Sequence, residues 1–249
     1  RARRGLAARA TNAPRPRRHI EAQIARLGIP ADAWDVVATS GDAARVALFR
    51  GAVGRRIWFM GEARDRVFLD PPKIVGDPVT IEEAPLEEAE GIVCCGPFDP
   101  FADPEANRPD LLLAKGRGLR LLCANPDIVV DRGESREWCA GAVARLYEEM
   151  GGTSLYFGKP HPPIYDLART RLAALGRLPP DDRIVCIGEG PGTAIQGAAG
   201  EGLDCILVTG GLPARETGTP AGGQPGAAAL AAYVQGQGLV PTYAIGYLR

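Results

Sequence analysis

Short apolar runs alternate with amphipathic helical patterns along nearly the whole chain. Strands that alternate with helices predict βαβ units and a largely parallel sheet, so the expected fold class is α/β. The runs that indicate strands are 6–10, 35–39, 56–60, 91–96, 119–124, 154–157, 183–187 and 205–209. The first helix should follow Pro16, with Ile20, Ile24 and Leu27 on its buried face and Gly28 after its end.

Composition limits the partners that this chain can have. Its 249 residues are 45% hydrophobic and 24% charged, enough for one large α/β domain or two modest ones. Because 29 basic residues face 30 acidic ones, the net charge of -1 creates no field that would attract nucleic acid or a membrane surface. No apolar stretch approaches the roughly 18 residues that cross a bilayer. A cytoplasmic location is therefore expected.

The six cysteines indicate core thiols instead of disulfides or metal ligands. Five of them lie inside the apolar runs, and no C-x-x-C pair occurs. With only two histidines in the chain, the pattern of a structural zinc site is missing as well.

Three segments share one expected placement, at the carboxyl end of a strand that turns into a helix. They begin at Thr11, Gly158 and Gly188, and open α/β sheets bind their ligands at this edge. The hydroxyl of Thr11, the ammonium of Lys159 and the carboxylate of Glu189 would then meet at one rim. Such groups suit a phosphoryl group and an oxygen-bound Mg²⁺. Taken singly, Gly158-Lys159-Pro160 is more often a turn with a solvated lysine, and Thr11-Asn12 before a proline is more often a helix N-cap.

Together these segments resemble the phosphatases of the haloacid dehalogenase (HAD) superfamily. The matching stretches are 11–15, 158–160 and 188–197 followed by 203–211, which look like the second, third and fourth motifs of that family. Two further stretches, 39–42 and 123–127, resemble its class IIA branch of nucleotide, sugar-phosphate and 4-nitrophenyl phosphatases. The resemblance implies a Rossmann-like core at 1–40 and 153–249, with an inserted α/β cap at 41–152.

The resemblance also implies a role for each site residue. Thr11 would bind the transferring phosphoryl group, Lys159 would bridge phosphate and nucleophile, and Glu189 would bind Mg²⁺. The remaining candidates are the substrate-binding residues Asn12, Asn125, Asp127, Gly158 and His161 and the loop residues Gly188, Gly190 and Thr193. For Asn125 and Asp127, a turn that closes a strand is an equally good interpretation.

The chain departs from the family pattern at two places. The family carries an Asp-x-Asp motif before the position of Thr11, and its first carboxylate attacks phosphorus, but no acid precedes Glu21 here. Because the first residue is Arg1, we expect a truncated chain whose natural form has one more strand. Glu189 and Ala194 also stand where the family has shorter or additional acids, which predicts weak Mg²⁺ binding and impaired hydrolysis.

Two other functions compete with a phosphatase of small phosphorylated metabolites. One is a non-catalytic HAD-like module that binds a phosphorylated ligand or a protein. The other is an S-adenosylmethionine-dependent methyltransferase, suggested by the apolar run before Gly188, Gly190 and Gly192. Too few residues follow these glycines for the rest of such a domain, and the next apolar run ends in Gly210 instead of an acid. A homodimer is a further open alternative.

Overall fold

The predicted alternation of strands and helices is present in the computed structural model, which describes residues 5–248. The strands are β1 (Ala8–Thr11), β2 (Val36–Thr39), β3 (Arg56–Met60), β4 (Glu82–Glu83), β5 (Gly91–Cys94), β6 (Arg120–Cys123), β7 (Val129–Arg132), β8 (Ser135–Trp138), β9 (Thr153–Tyr156), β10 (Val185–Gly188), β11 (Asp204–Val208) and β12 (Tyr243–Ile245). The α-helices are α1 (Arg17–Arg26), α2 (Ser40–Leu48), α3 (Arg108–Gly116), α4 (Ala140–Glu149), α5 (Pro162–Ala174), α6 (Gln196–Gly200) and α7 (Ala227–Gln237). Short 3₁₀ segments lie at Ala31–Ala33, Ala63–Leu69, Pro104–Asn107 and Asp181–Arg183, and a π-helical turn at Pro191–Ile195.

The chain divides into two compact units. The first contains the residues up to Gly158 together with Pro163–Leu172, and the second contains Lys159–Pro162 and the residues from Ala173 onward. Both units are built on parallel strands, as predicted, and the α/β class is confirmed. The expectation that the natural chain has one more strand rests on Arg1, which lies outside the residues that the structure describes.

The first unit contains a five-stranded parallel sheet in the order β4-β3-β5-β6-β9. One face of this sheet is covered by α3 and α4. The core on that side includes Leu111, Leu121, Val143 and Tyr147, all of which are fully buried. Since the Tyr147 hydroxyl is buried, it needs a partner and donates to the backbone carbonyl of Leu119 at 2.6 Å. The core on that side of the sheet is thus apolar, and the buried Tyr147 hydroxyl has a hydrogen-bond partner.

The first unit also contains a separate parallel pair, β1 and β2, joined by α1. Ile20 and Ile24 of α1 are buried against Val37 of β2, as the helical spacing predicts. The prediction for Leu27 is wrong: α1 ends at Arg26, and the Leu27 side chain is 70% exposed. Gly28 follows with φ of 76°, the left-handed conformation expected after a helix.

In the second unit, the strands form a parallel sheet in the order β10-β11-β12. Its core contains Ile195, Ala198, Leu203, Cys205 and Leu207. The glycine-rich loop after residue 216 is irregular, but it is not wholly exposed. Thr217 and Thr219 are buried. Their hydroxyl groups are hydrogen-bonded to each other at 2.7 Å, and Thr219 donates to Thr209 at 2.8 Å.

A buried ion-pair network anchors α2. Asp42 is 3% exposed, and its carboxylate contacts Arg45 at 3.2 Å and Arg171 of α5 at 2.7 Å. The same carboxylate accepts the backbone N–H of Arg17 at 3.1 Å, which satisfies a donor in the first turn of α1. Arg45 also donates to the carbonyl groups of Phe68 and Asp70. One carboxylate therefore connects three helices.

No helix within residues 5–248 has both the length and the apolarity that crossing a membrane requires.

Removing the Asp42 carboxylate should be strongly destabilising. Asp42→Ala leaves Arg45 and Arg171 as buried charges without a counter-ion, and we expect a loss of about 3–5 kcal/mol in the free energy of unfolding. Urea denaturation measures this loss. Glu149→Ala, which removes the exposed pair with Arg145, is the control and should change little. Equal stabilities of the two variants would show that the network contributes nothing.

The thiols should react very unequally in the native protein. None of the six cysteines, all within residues 5–248, forms a disulfide, and of these six only Cys186 is not buried. Burial raises the pKa of Cys94 to about 12 and the pKa values of Cys95 and Cys123 well above the ordinary thiol value. At pH 8 a thiol reagent should therefore modify Cys186 first, and the other five only after denaturation. Fast native labelling of Cys94 or Cys123, read by mass spectrometry, would contradict this packing.

Candidate active site

Thr11 lies at the carboxyl end of β1, where the sequence places it. Its side chain is half-buried, and its Oγ1 accepts the backbone N–H of Ala13 at 3.3 Å. This bond occupies a lone pair of the hydroxyl group and leaves its proton, which has no acceptor within residues 5–248. A half-buried hydroxyl that still has a proton to donate is suited to bind an anionic oxygen.

Asn12 follows directly and is 6% exposed. Its Nδ2 donates to Oδ1 of Asp127 at 2.8 Å, across 115 positions of sequence. The bond connects the loop after β1 with the loop after β6. Sequence reasoning named both residues as substrate-binding candidates, and the structure brings them into direct contact.

The first turn of α2 packs closely on the loop after β1. The backbone N–H of Gly41 donates to the carbonyl of Ala13 at 3.0 Å, and a Cβ at Gly41 would lie 2.2 Å from the carbonyl oxygen of Pro14. Only glycine permits this approach. Thr39 caps the helix by accepting the N–H of Asp42 at 2.9 Å. The stretch 39–42, singled out by its resemblance, therefore shapes the loop that follows Thr11.

Asn125, Pro126 and Asp127 form a tight turn at the end of β6. Oδ1 of Asn125 accepts the backbone N–H of Asp127 at 3.0 Å, which is an Asx turn. The interpretation of this stretch as a turn is confirmed. A direct contact between its side chains and a substrate stays a prediction.

Two glycines fix the position of this turn. A Cβ at Gly141, in the first turn of α4, would lie 2.2 Å from the carbonyl oxygen of Pro126. A Cβ at Gly158, just after β9, would lie 2.6 Å from both Oδ1 of Asn12 and Cδ of Pro126. Sequence reasoning missed Gly141, whose only signal is a glycine in the first turn of an otherwise good helix.

In the second unit, Lys159 and His161 lie in the segment that precedes most of α5. Both side chains are half-buried, and the peptide bond between Lys159 and Pro160 is cis.

The loop after β10 is shaped by close glycine contacts. Gly188 ends the strand, and a Cβ there would meet the methyl group of Ala194 at 2.3 Å. The π-helical turn Pro191–Ile195 follows, and Oγ1 of Thr193 donates to the carbonyl of Gly190 at 3.4 Å. Turns of this kind recur at functional sites. Gly188, Gly190 and Thr193 thus form one compact loop.

Glu189 is exposed at the start of this loop. Its Oε2 accepts the backbone N–H of Leu212 at 3.1 Å and lies against Gly211, where a Cβ would be only 1.6 Å away. The carboxylate therefore closes a turn after β11. Sequence reasoning did not anticipate this contact, because it joins two loops that are 23 positions apart.

These residues do not fit a magnesium site. Mg²⁺ requires several oxygen ligands in a strict octahedral arrangement. Within residues 5–248, no group of three acidic, histidine or cysteine side chains is placed to hold a metal ion. Glu189 has a backbone partner, and Ala194 offers no ligand atom. No catalytic step is therefore assigned to Mg²⁺.

The structure brings together Thr11, Asn12, Asp127 and Gly158 in the first unit, and Gly188, Glu189, Gly190 and Thr193 in the second. The convergence of Thr11, Lys159 and Glu189 on one cleft stays a prediction.

Comparison with known proteins identifies the family. A haloacid dehalogenase-like hydrolase from Brucella suis 1330 is 36% identical, with a TM-score of 0.77, over 96% of this chain and 82% of that chain. A possible sugar phosphatase from Cytophaga hutchinsonii is 19% identical over 94% and 78%, with a TM-score of 0.68. The 4-nitrophenylphosphatase of Thermotoga maritima is 20% identical over 96% and 80%, with a TM-score of 0.63. No family model matches the sequence, and neither does any curated protein.

The fold and these similarities define a HAD-like hydrolase with a Rossmann-like α/β architecture. The identity to the Brucella protein, over nearly the whole chain, shows that this chain belongs to the haloacid dehalogenase-like hydrolase family. The two more distant phosphatases share its fold.

The contact between Glu189 and Leu212 predicts that Glu189 is not a ligand of a magnesium ion in this chain. We expect calorimetric titration with MgCl₂ to give no saturable heat, and the same flat result for Glu189→Ala, because a single carboxylate on an exposed loop cannot displace the ion's water shell. Saturable binding in the wild type that disappears in Glu189→Ala would contradict this prediction.

Proposed function

We propose that this chain binds small phosphate monoesters at the loop after β1, as a class IIA member of its family with impaired hydrolysis. The observation that carries the proposal is the Thr11 hydroxyl, which stands at the carboxyl end of a parallel strand with its proton available. Ligands of α/β sheets bind at this edge. The neighbouring Asn12 and Gly158 belong to the same group of contacts.

In this proposal the residues of the first unit have separate tasks. Thr11 donates to a phosphoryl oxygen. Residues 41–152 form a cap that excludes water and selects the ester, and β9 extends the sheet of that cap. Which ester is selected depends on cap side chains.

Impaired hydrolysis follows from the carboxylates of the chain. Hydrolysis assisted by Mg²⁺ needs oxygen ligands, but Glu189 accepts the backbone N–H of Leu212 and position 194 is an alanine. A non-catalytic module that binds a phosphorylated ligand is therefore the second candidate, favoured by the engagement of Glu189 with the Leu212 amide. The methyltransferase alternative gains no support from the similar structures.

Hydrolysis and binding of 4-nitrophenyl phosphate separate the two candidates. With MgCl₂ present, we expect the ester to bind while 4-nitrophenolate is released at a small fraction of the rate typical for enzymes. Ester binding without any release would favour the binding module. Absence of both ester and phosphate binding would overturn the proposed function.

Loss of the Thr11 hydroxyl should weaken phosphate binding. A hydrogen bond to a charged group contributes about 1.5–3 kcal/mol, so Thr11→Ala should raise the Kd for inorganic phosphate about 10- to 100-fold. Thr11→Ser keeps the hydroxyl and is the matched control. Calorimetry on both variants provides the measurement, and equal affinities of Thr11→Ala and the wild type would remove Thr11 from the site.

A further inference from the structure

The carboxylate of Asp127 is not needed by the turn in which it lies. That turn is closed by a bond from the backbone N–H of residue 127 to Oδ1 of Asn125, which any residue at 127 could donate. The Asp127 side chain instead leaves its own loop and accepts the Asn12 amide at 2.8 Å. Its chemistry is thus directed at the loop after β1.

The Asn12 amide is held on both sides. Nδ2 is bound by Asp127, while Oδ1 faces the position of Gly158, where a Cβ would lie 2.6 Å away. Because Asn12 is 6% exposed, its side chain has little freedom to turn, and its two ends have fixed directions. The backbone of Thr11, one residue earlier, is constrained with it.

The loop that contains Asp127 is itself immobilised. Gly141 lets α4 approach the carbonyl oxygen of Pro126, and Gly158 lets the chain after β9 approach the ring of the same proline. Cys123 further donates from Sγ to the carbonyl of Asn125 at 3.3 Å. A carboxylate on such a rigid loop can hold its partner, the Asn12 amide, in one orientation.

We infer that Asp127 is a positioning residue for phosphate binding: it acts through Asn12 to set the conformation of residues 11–13, and it does not contact the ligand. The inference rests on the proposed function, because it concerns the same phosphate site. By this inference, the turn that contains Asp127 fixes the conformation of the loop after β1. The resemblance implies only that Asp127 contacts the substrate.

The test measures the affinity for inorganic phosphate by calorimetry in the wild type, Asp127→Ala and Asp127→Asn. Alanine removes the acceptor, so the Kd should rise up to about tenfold, the equivalent of one hydrogen bond of about 1.4 kcal/mol. Asparagine retains a carbonyl acceptor for Nδ2 of Asn12 and should restore most of the affinity. A ligand-contacting carboxylate would behave differently, since removal of its negative charge should tighten phosphate binding in both variants.

Asp131→Ala is the matched control, because Asp131 is an exposed aspartate four positions along whose partner is Arg136 on β8. It should leave the phosphate affinity unchanged. Nuclear magnetic resonance adds a readout that needs no ligand. The side-chain amide protons of Asn12 should exchange slowly in the wild type and in Asp127→Asn, and rapidly in Asp127→Ala.

The possible results separate the inference from the proposed function. If the wild type binds phosphate and Asp127→Ala binds it equally well, the inference is wrong and the proposed function stands. If the wild type does not bind phosphate, both are wrong. If Asp127→Ala fails to fold, Asp127→Asn decides alone: wild-type affinity with slow amide exchange supports positioning, and a tighter Kd overturns it.

Discussion

The hydrogen bond between Asn12 and Asp127 is the contact on which the proposed site depends. It spans 115 positions and joins the loop after β1 to the loop after β6, two segments from different sheets. A buried amide must find partners, so the bond is favoured by the cost of leaving Asn12 unsatisfied. Gly41, Gly141 and Gly158 permit the close backbone approaches around it. The geometry of the loop after β1 therefore depends on both sheets.

The carboxylates that stabilise the fold are different from the group that is proposed to bind phosphate. The buried Asp42 pairs with two arginines and accepts a backbone N–H in the first turn of α1, so its role is structural. Glu189 in the second unit is engaged by a backbone amide. The proton of Thr11 remains available, and this is why ligand binding is a better-supported property of this chain than hydrolysis.

The strands and the family could be predicted from sequence because apolar runs and ordered short motifs are local signals. The predicted runs at 56–60 and 91–96 became β3 and β5 of one parallel sheet. By contrast, β7 and β8 are short and polar, so their hairpin gives no apolar signal. The engagement of Glu189 by Leu212 and the approach of Gly141 to Pro126 were missed because they depend on tertiary contact, which residue spacing does not encode. For Asn125 and Asp127, a turn and a site look alike in sequence.

A crystal structure of the chain with tungstate, an analogue of phosphate, tests the central claim most directly. The account predicts a tungstate ion within hydrogen-bonding distance of Thr11 Oγ1, with the Asn12 amide still bound to Asp127 and no contact from Asp127 to the ion. An ion bound elsewhere, out of reach of Thr11, would contradict it.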